Sequence, residues 1–193
     1  MNTGDARTEI LSSIRAHLAM SAPEPQITTD LYESVAEAAV VSVVEVFKRN
    51  VEAVDGHCIV VESDAEAGEV VKRLTEGKKI ANANESRADL FRSDVGVTRA
   101  QAGIAETGTL VLDSSVERNR LVSLVPPTHI AILKASQIYP TLAEVLTVLQ
   151  SGAALSPAIT FITGPSRTAD IELTLAIGVH GPQELYVIVV RNN

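Results

Sequence analysis

The chain has 193 residues, 16 Lys and Arg against 24 Asp and Glu, and a net charge of −8. An acidic chain with no Trp, three Phe and three Tyr lacks the basic stripe and stacking aromatics of a nucleic-acid surface, so no nucleic-acid partner is expected. Its one cysteine, Cys58, cannot supply the four thiolates of a conventional iron–sulfur cluster, and no apolar run reaches the ~20 residues of a membrane helix.

Taken in chain order, residues 6–19 predict an amphipathic helix with Ile10, Leu11, Ile14 and Leu18 on one face, and Ser21-Ala22-Pro23-Glu24-Pro25 reads as a linker. Residues 1–30 are therefore expected to form a helical extension, able to pack loosely or reach a neighbouring subunit in a homo-oligomer, and residues 31–193 a single α/β domain. A second helix is predicted from about Leu31 to Arg49. Its dense apolar positions, among them Val35, Ala39, Val43, Val46 and Phe47, call for cover by the domain core or by a partner. The opening MNTGDARTEI lacks the basic start and apolar region of a secretory signal, which makes the cytoplasm the expected location.

From His57 to Asn82, the strand HCIVVE, the helix DAEAGEVVKRL and the strand KKIAN compose a β–α–β unit, and such alternation favours a mostly parallel sheet flanked by helices. The strands GTLVL, LVSLV and HIAIL follow, then the helix PTLAEVLTVLQ, the strand AITFIT, a helix beginning near Ser166 and the strand LYVIVV. HIAIL and LYVIVV are continuously apolar, as strands buried on both faces are. Cys58, inside an apolar strand, reads as a small core residue, since nothing near it supplies the electropositive setting of a reactive thiol.

Two runs carry chemistry. In Asp94–Leu112 a strand-like stretch is interrupted by Glu106-Thr107-Gly108-Thr109. A carboxylate among apolar neighbours needs a partner if buried, and Gly108 permits a bulge or close backbone approach; the alternative is a hairpin bend with Glu106 in solvent. In Ile162–Val190, Gly164-Pro165-Ser166-Arg167-Thr168 followed by Asp170 places hydroxyls and a guanidinium at a predicted helix start, a setting for an anion. Ordinary helix capping uses the same residue types. Arg120 and Arg167 together offer local positive charge on an acidic protein. His129 and His180 are candidates for proton transfer or anion binding, against plainer roles in turns. No His/Cys group has metal-ligand spacing, and neither a Walker loop nor a GxGxxG after a strand is present. No cofactor is expected on this chain.

Four ordered blocks, GIAETGTLVL, NRLVSLVPPTHIAIL, ITGPSRTADIE and GVHGPQEL, make the chain resemble the LUD-domain family, in its lactate utilization C group. ARTEILSSIRAHL at residues 6–18 is similar to that family's N-terminal helix. The resemblance implies the α/β fold of ribose-5-phosphate isomerase, glucosamine-6-phosphate deaminase and CoA transferases. It also implies a part in oxidising L-lactate to pyruvate beside partner subunits that carry the iron–sulfur clusters. The chain departs from the family at Ser114-Ser115-Val116-Glu117, where Gly and Pro are common, and at Tyr186, where His is common.

By this reading Glu106 and His180 are the candidate catalytic groups. The candidate ligand-binding residues are Thr107, Gly108, Thr109, Arg120, His129, Gly164, Ser166, Arg167, Thr168 and Asp170, with Glu106 and Arg167 expected in one cleft. Three classes of function stay open. One is a non-redox subunit of an L-lactate-oxidising complex, another a stand-alone enzyme acting on a phosphorylated or carboxylated metabolite, and the third a regulatory module that binds such a metabolite.

Overall fold

The computed structural model describes residues 3–19, 42–117, 119–151, 156–169, 175–177 and 181–191. The chain divides into two units, Met1–Val40 and Val41–Asn193. The first contributes α1 (Thr3–Ala19), a helix on which Ile10 and Leu11 are exposed. The second holds all the remaining elements.

Helix α2 (Val43–Ala53) is amphipathic, with Phe47 and Val51 one turn apart and both buried. It runs past the predicted end at Arg49 because Val51 continues the buried face, and it is closed by Asp55 and Gly56. The Asp55 amide donates to the Glu52 carbonyl (3.1 Å) and the Gly56 amide to the Val51 carbonyl (2.9 Å), with Asp55 in the left-handed region at φ 62°. This is the bonding pattern of a helix end that usually has Gly where Asp55 stands. Of the predicted helix, residues 31–41 lie outside the described residues.

The central sheet is parallel, in the order β1 (His57–Val61), β10 (Glu184–Val190), β5 (Thr128–Lys134), β2 (Val95–Arg99). Side chains alternate across it. Leu185, Val187 and Val189 of β10 meet α2, whereas Ile188 and Val190 meet α3 (Asp64–Leu74) on the opposite face. Helix α3 starts where Ser63 Oγ accepts the Glu66 amide. A second sheet, in the order β6 (Ile138–Tyr139), β3 (Ala102–Ile104), β4 (Thr109–Asp113), β7 (Ile159–Ile162), mixes parallel and antiparallel pairs. Leu110 and Leu112 of β4 join the α2 core, while Val145 of α6 (Leu142–Gln150) packs on Ala102, Ile104 and Val111 from the other side. The fold is thus α/β, its main sheet parallel and flanked by helices as predicted.

Three predicted elements differ. LVSLV is not a strand: Leu121–Leu124 form one helical turn, α5, started by the Asn119 side chain, which accepts the Leu121 amide at 3.1 Å. A five-residue apolar run carries too little periodicity to separate the two. KKIAN forms a single bridge, Ile80 to Val95, and no full strand; its neighbour Lys79 gives its amide to the Asp94 carboxylate instead (2.7 Å). The helix expected near Ser166 is a strand, β8 (Arg167–Ala169), paired antiparallel with β9 (Leu175–Ile177). A short helix α4 (Arg87–Leu90) and strands β2 and β3 add to the elements that the sequence predicts. Among the described residues, no helix is long and apolar enough to cross a membrane.

Candidate functional site

The Gly164 corner rests on the end of α2. Gly164 has φ 77°, and a Cβ there would stand 2.6 Å from the Val54 carbonyl oxygen, so the corner reaches the helix only because it lacks a side chain. Asp55, at the close of α2, forms an ion pair with Arg167. The Ser166 amide donates to the Pro182 carbonyl (2.8 Å), which ties this corner to the loop before β10. That loop is in turn held by the Gln183 and Glu184 amides, both donating to the Pro127 carbonyl at 2.7 and 3.1 Å.

Because Arg167 opens a strand, the corner has no helix dipole to offer an anion, and its positive charge is the guanidinium itself. Nor does it follow a carboxyl end of the parallel sheet, as expected for a ligand site in an open α/β sheet. It follows β7, an antiparallel edge strand of the second sheet, and lies beside the amino ends of β5 and β10. There a cavity of about 500 Å³ is lined by Ser123, Leu124, His129, Phe161, Arg167 and Leu185, with the Gly164 and Gly181 loops.

His129 and Ser123 are the buried polar residues of this cavity, and the Ser123 hydroxyl is already spent on the Arg120 carbonyl (2.9 Å). His129 has no exposed surface, being held on a central strand between Leu185 of β10 and Gly96 of β2. Gly96 makes room for α5, since a Cβ there would fall 1.8 Å from the Val122 carbonyl oxygen. His129 Nε2 shares a 2.8 Å hydrogen bond with Thr98 Oγ1, and its Nδ1 has no partner among the described residues. Burial pushes the imidazole down from 6.5 to about 4, so it is neutral at physiological pH.

Glu106 lies elsewhere. Residues 105–108 form the bend of the β3–β4 hairpin, and Glu106 is exposed, with Oε1 accepting the Leu142 amide at the start of α6 (2.8 Å). It lines a cleft of about 360 Å³ with Thr107, Thr109, Leu142, Leu146 and Thr163. Glu106 and Arg167 thus line different cavities, although Phe161 of β7 and Thr163 just after it border both. Hydroxyls join Thr107 to Thr109 and Thr109 to Thr163, each at 2.7 Å. Gly108, at φ 66°, lets the bend touch α2, for a Cβ there would stand 2.4 Å from the Val51 nitrogen. Asn50 Nδ2 fastens it by donating to the Ala105 carbonyl (2.7 Å).

Arg120 borders a third depression, with Arg87, Ser114 and Asn119. Thr168 pairs with Ala176 in the β8–β9 ribbon, while Asp170 and His180 lie outside the described residues. The site residues that sequence reasoning missed are Thr98, which fixes His129, and Asp55, which pairs with Arg167. Asp55-Gly56 after an apolar-periodic helix carried a signal, a helix stop; Thr98 carried none, because its meeting with His129 depends on strand order. Cys58 is buried, with its thiol raised to about 12 mainly by that burial and further by the charge of Glu52, and among the described residues no group of His, Cys, Asp or Glu is placed to hold a metal ion.

Known proteins resemble this chain in sequence and in fold. A protein of Bacillus licheniformis named Lactate utilization protein C is 40% identical over 113 residues, covering 56% of this chain and 46% of that protein. One of the same name from Halalkalibacterium halodurans is 40% identical over 122 residues, covering 61% and 50%. The chain therefore spans about half the length of the curated relatives it matches. The crystal structure of a DUF162 family protein from Deinococcus radiodurans superposes with a TM-score of 0.57 at 24% identity, covering 77% of this chain and 96% of that one, and so shares the fold. The LUD domain model matches residues 79–190, from the Lys79–Asp94 contact through both cavities to the end of β10, and this chain belongs to the LUD-domain family.

Proposed function

We propose that the chain is a non-redox component of an L-lactate-oxidising system, acting in the cytoplasm beside iron–sulfur subunits that carry the electrons from lactate to their acceptor. Its kinship with relatives named Lactate utilization protein C carries this reading. The chemistry of the chain supports the division of labour: a lone cysteine, buried and held protonated, leaves cluster binding to partners. The contribution assigned to this chain is to hold a small carboxylate at Arg167, whose planar guanidinium forms paired hydrogen bonds with a carboxylate.

Reconstitution tests the proposal. The chain is combined with the cysteine-rich iron–sulfur subunits of the same system, and L-lactate-dependent reduction of a dye is followed with and without it. Dye reduction is expected to require the chain, and the chain is expected to co-purify with those subunits. Full activity in its absence, with no co-purification, overturns the proposal. Turnover of a phosphorylated or carboxylated metabolite by the chain alone would establish the stand-alone enzyme instead.

A further inference from the structure

Among the residues lining the Arg167 cavity is a buried ring with one nitrogen that no internal contact explains. His129 is fully buried, lines the cavity, commits Nε2 to Thr98 and has no partner for Nδ1 among the described residues. A residue needed only to fill space beside Leu185 would be apolar, because an unpaired buried nitrogen is destabilising. Thr98 instead fixes the ring, and whichever nitrogen carries the proton, Nδ1 is left with one hydrogen bond to make. If Nε2 donates to Thr98, Nδ1 accepts; if Thr98 donates, Nδ1–H donates. Arg167 is the cation among the described residues lining the cavity, and its charge is already shared with Asp55, which suits one carboxylate better than a phosphate dianion.

We infer that the cavity binds a small organic acid at two points, the carboxylate at Arg167 and an uncharged oxygen, hydroxyl or oxo, at His129 Nδ1, with Thr98 as the positioning residue. This rests on the reading of the cavity as a carboxylate site and adds the chemical class of its occupant. A hydroxyl can donate or accept and so matches either tautomer, whereas an oxo oxygen requires Nδ1–H. The walls combine Leu124, Phe161 and Leu185, which accommodate a short alkyl group, with the hydroxyl residues Thr160, Thr163 and Ser166.

The test uses the full chain alone, labelled with ¹⁵N at histidine, and three probes: L-lactate, pyruvate and propionate, the last lacking the second oxygen. L-lactate is expected to move the His129 Nδ1 resonance and to bind about tenfold more tightly than propionate, the scale of one buried hydrogen bond. His129→Phe and His129→Gln are each expected to reduce that preference. Thr98→Val is expected to alter the tautomer ratio in the ¹⁵N spectrum together with the preference, a change that lost packing alone would not produce. Where a variant fails to fold, the wild-type titration decides. Equal affinities for L-lactate and propionate, an unmoved His129 resonance at saturation, or no binding at tens of millimolar overturns the inference. The titration contains no partner subunit, so a failed reconstitution and a failed titration are separate results.

Discussion

Two glycine turns lie on the same helix, and the polar groups around them are committed to different degrees. The Gly108 bend meets α2 at Asn50 and Val51, and its polar atoms have protein partners: Asn50 on the Ala105 carbonyl, the Leu142 amide on Glu106, three threonine hydroxyls on one another. The Gly164 corner meets α2 at Val54, and beside it His129 Nδ1 is unpartnered and Arg167 pairs with a largely exposed Asp55. Both turns bring together hydroxyls and a charged group next to a left-handed glycine. Commitment of the polar atoms separates a turn that holds the fold from a corner equipped to hold something else.

The sharpest way to break this comparison is to crowd each turn. Gly108→Ala places a methyl into helix backbone at a left-handed φ, where strain of roughly 1–2 kcal/mol adds to overpacking of roughly 1–3 kcal/mol. A loss near the upper end of their sum, about 4 kcal/mol, is expected in urea denaturation. Gly164→Ala meets one carbonyl and a side chain beyond the helix end, so about 2 kcal/mol is expected from the same terms, together with loss of acid binding. An equal effect on stability and binding at both turns would erase the distinction.

Acid should find the corner next. His129 is ordinarily protonated below 6.5 and in the fold only below about 4. Between those values the unfolded chain binds a proton that the folded chain refuses, so stability falls as pH drops through this window. The contribution at stake is about 3 kcal/mol. Denaturation at stepped pH should show His129→Phe losing less stability than wild type from pH 6.5 to 4. Parallel curves would mean that the imidazole is not held neutral.

Much of this frame is legible in the sequence, and the reason is local. Continuous apolar runs mark β5 and β10 as central strands, and the run DAEAGEVVKRL marks α3. What is not legible depends on distant partners. Ser166-Arg167-Thr168 suits a helix start as well as a strand, and the choice is made by pairing with β9, as Arg167 opposite Ile177 shows. His129 becomes a buried neutral base because β2 delivers Thr98 and Gly96 beside it, a register that no short window contains. Glu106 stands out for its apolar neighbours, but those neighbours are the two arms of a hairpin and the carboxylate serves α6.

That reading makes Glu106→Ala a modest structural change. Removing the acceptor for the Leu142 amide should cost about 1 kcal/mol, the scale of a lost helix cap. The affinity for L-lactate at the other cavity should stay within error, as titration can check. A stability-neutral variant with weakened acid binding would instead return Glu106 to the Arg167 site.

The smallest expected change in stability falls on Asp55, where two terms oppose each other. A left-handed non-glycine residue is strained by roughly 1 kcal/mol, and Gly in its place would relieve this at the close of α2. An exposed ion pair such as the one with Arg167 contributes only about 0–1 kcal/mol, and its anion stands at the negative end of a helix dipole. Asp55→Gly should therefore leave stability within about 1 kcal/mol of wild type, on the stable side. Its larger effect should be on ligand: with no protein carboxylate competing for Arg167, an acid in the cavity gains the whole guanidinium, and titration with L-lactate should give a lower Kd. A raised Kd would mean that Asp55 holds Arg167 in the binding geometry, making the pair part of the site's construction and not a competitor for it.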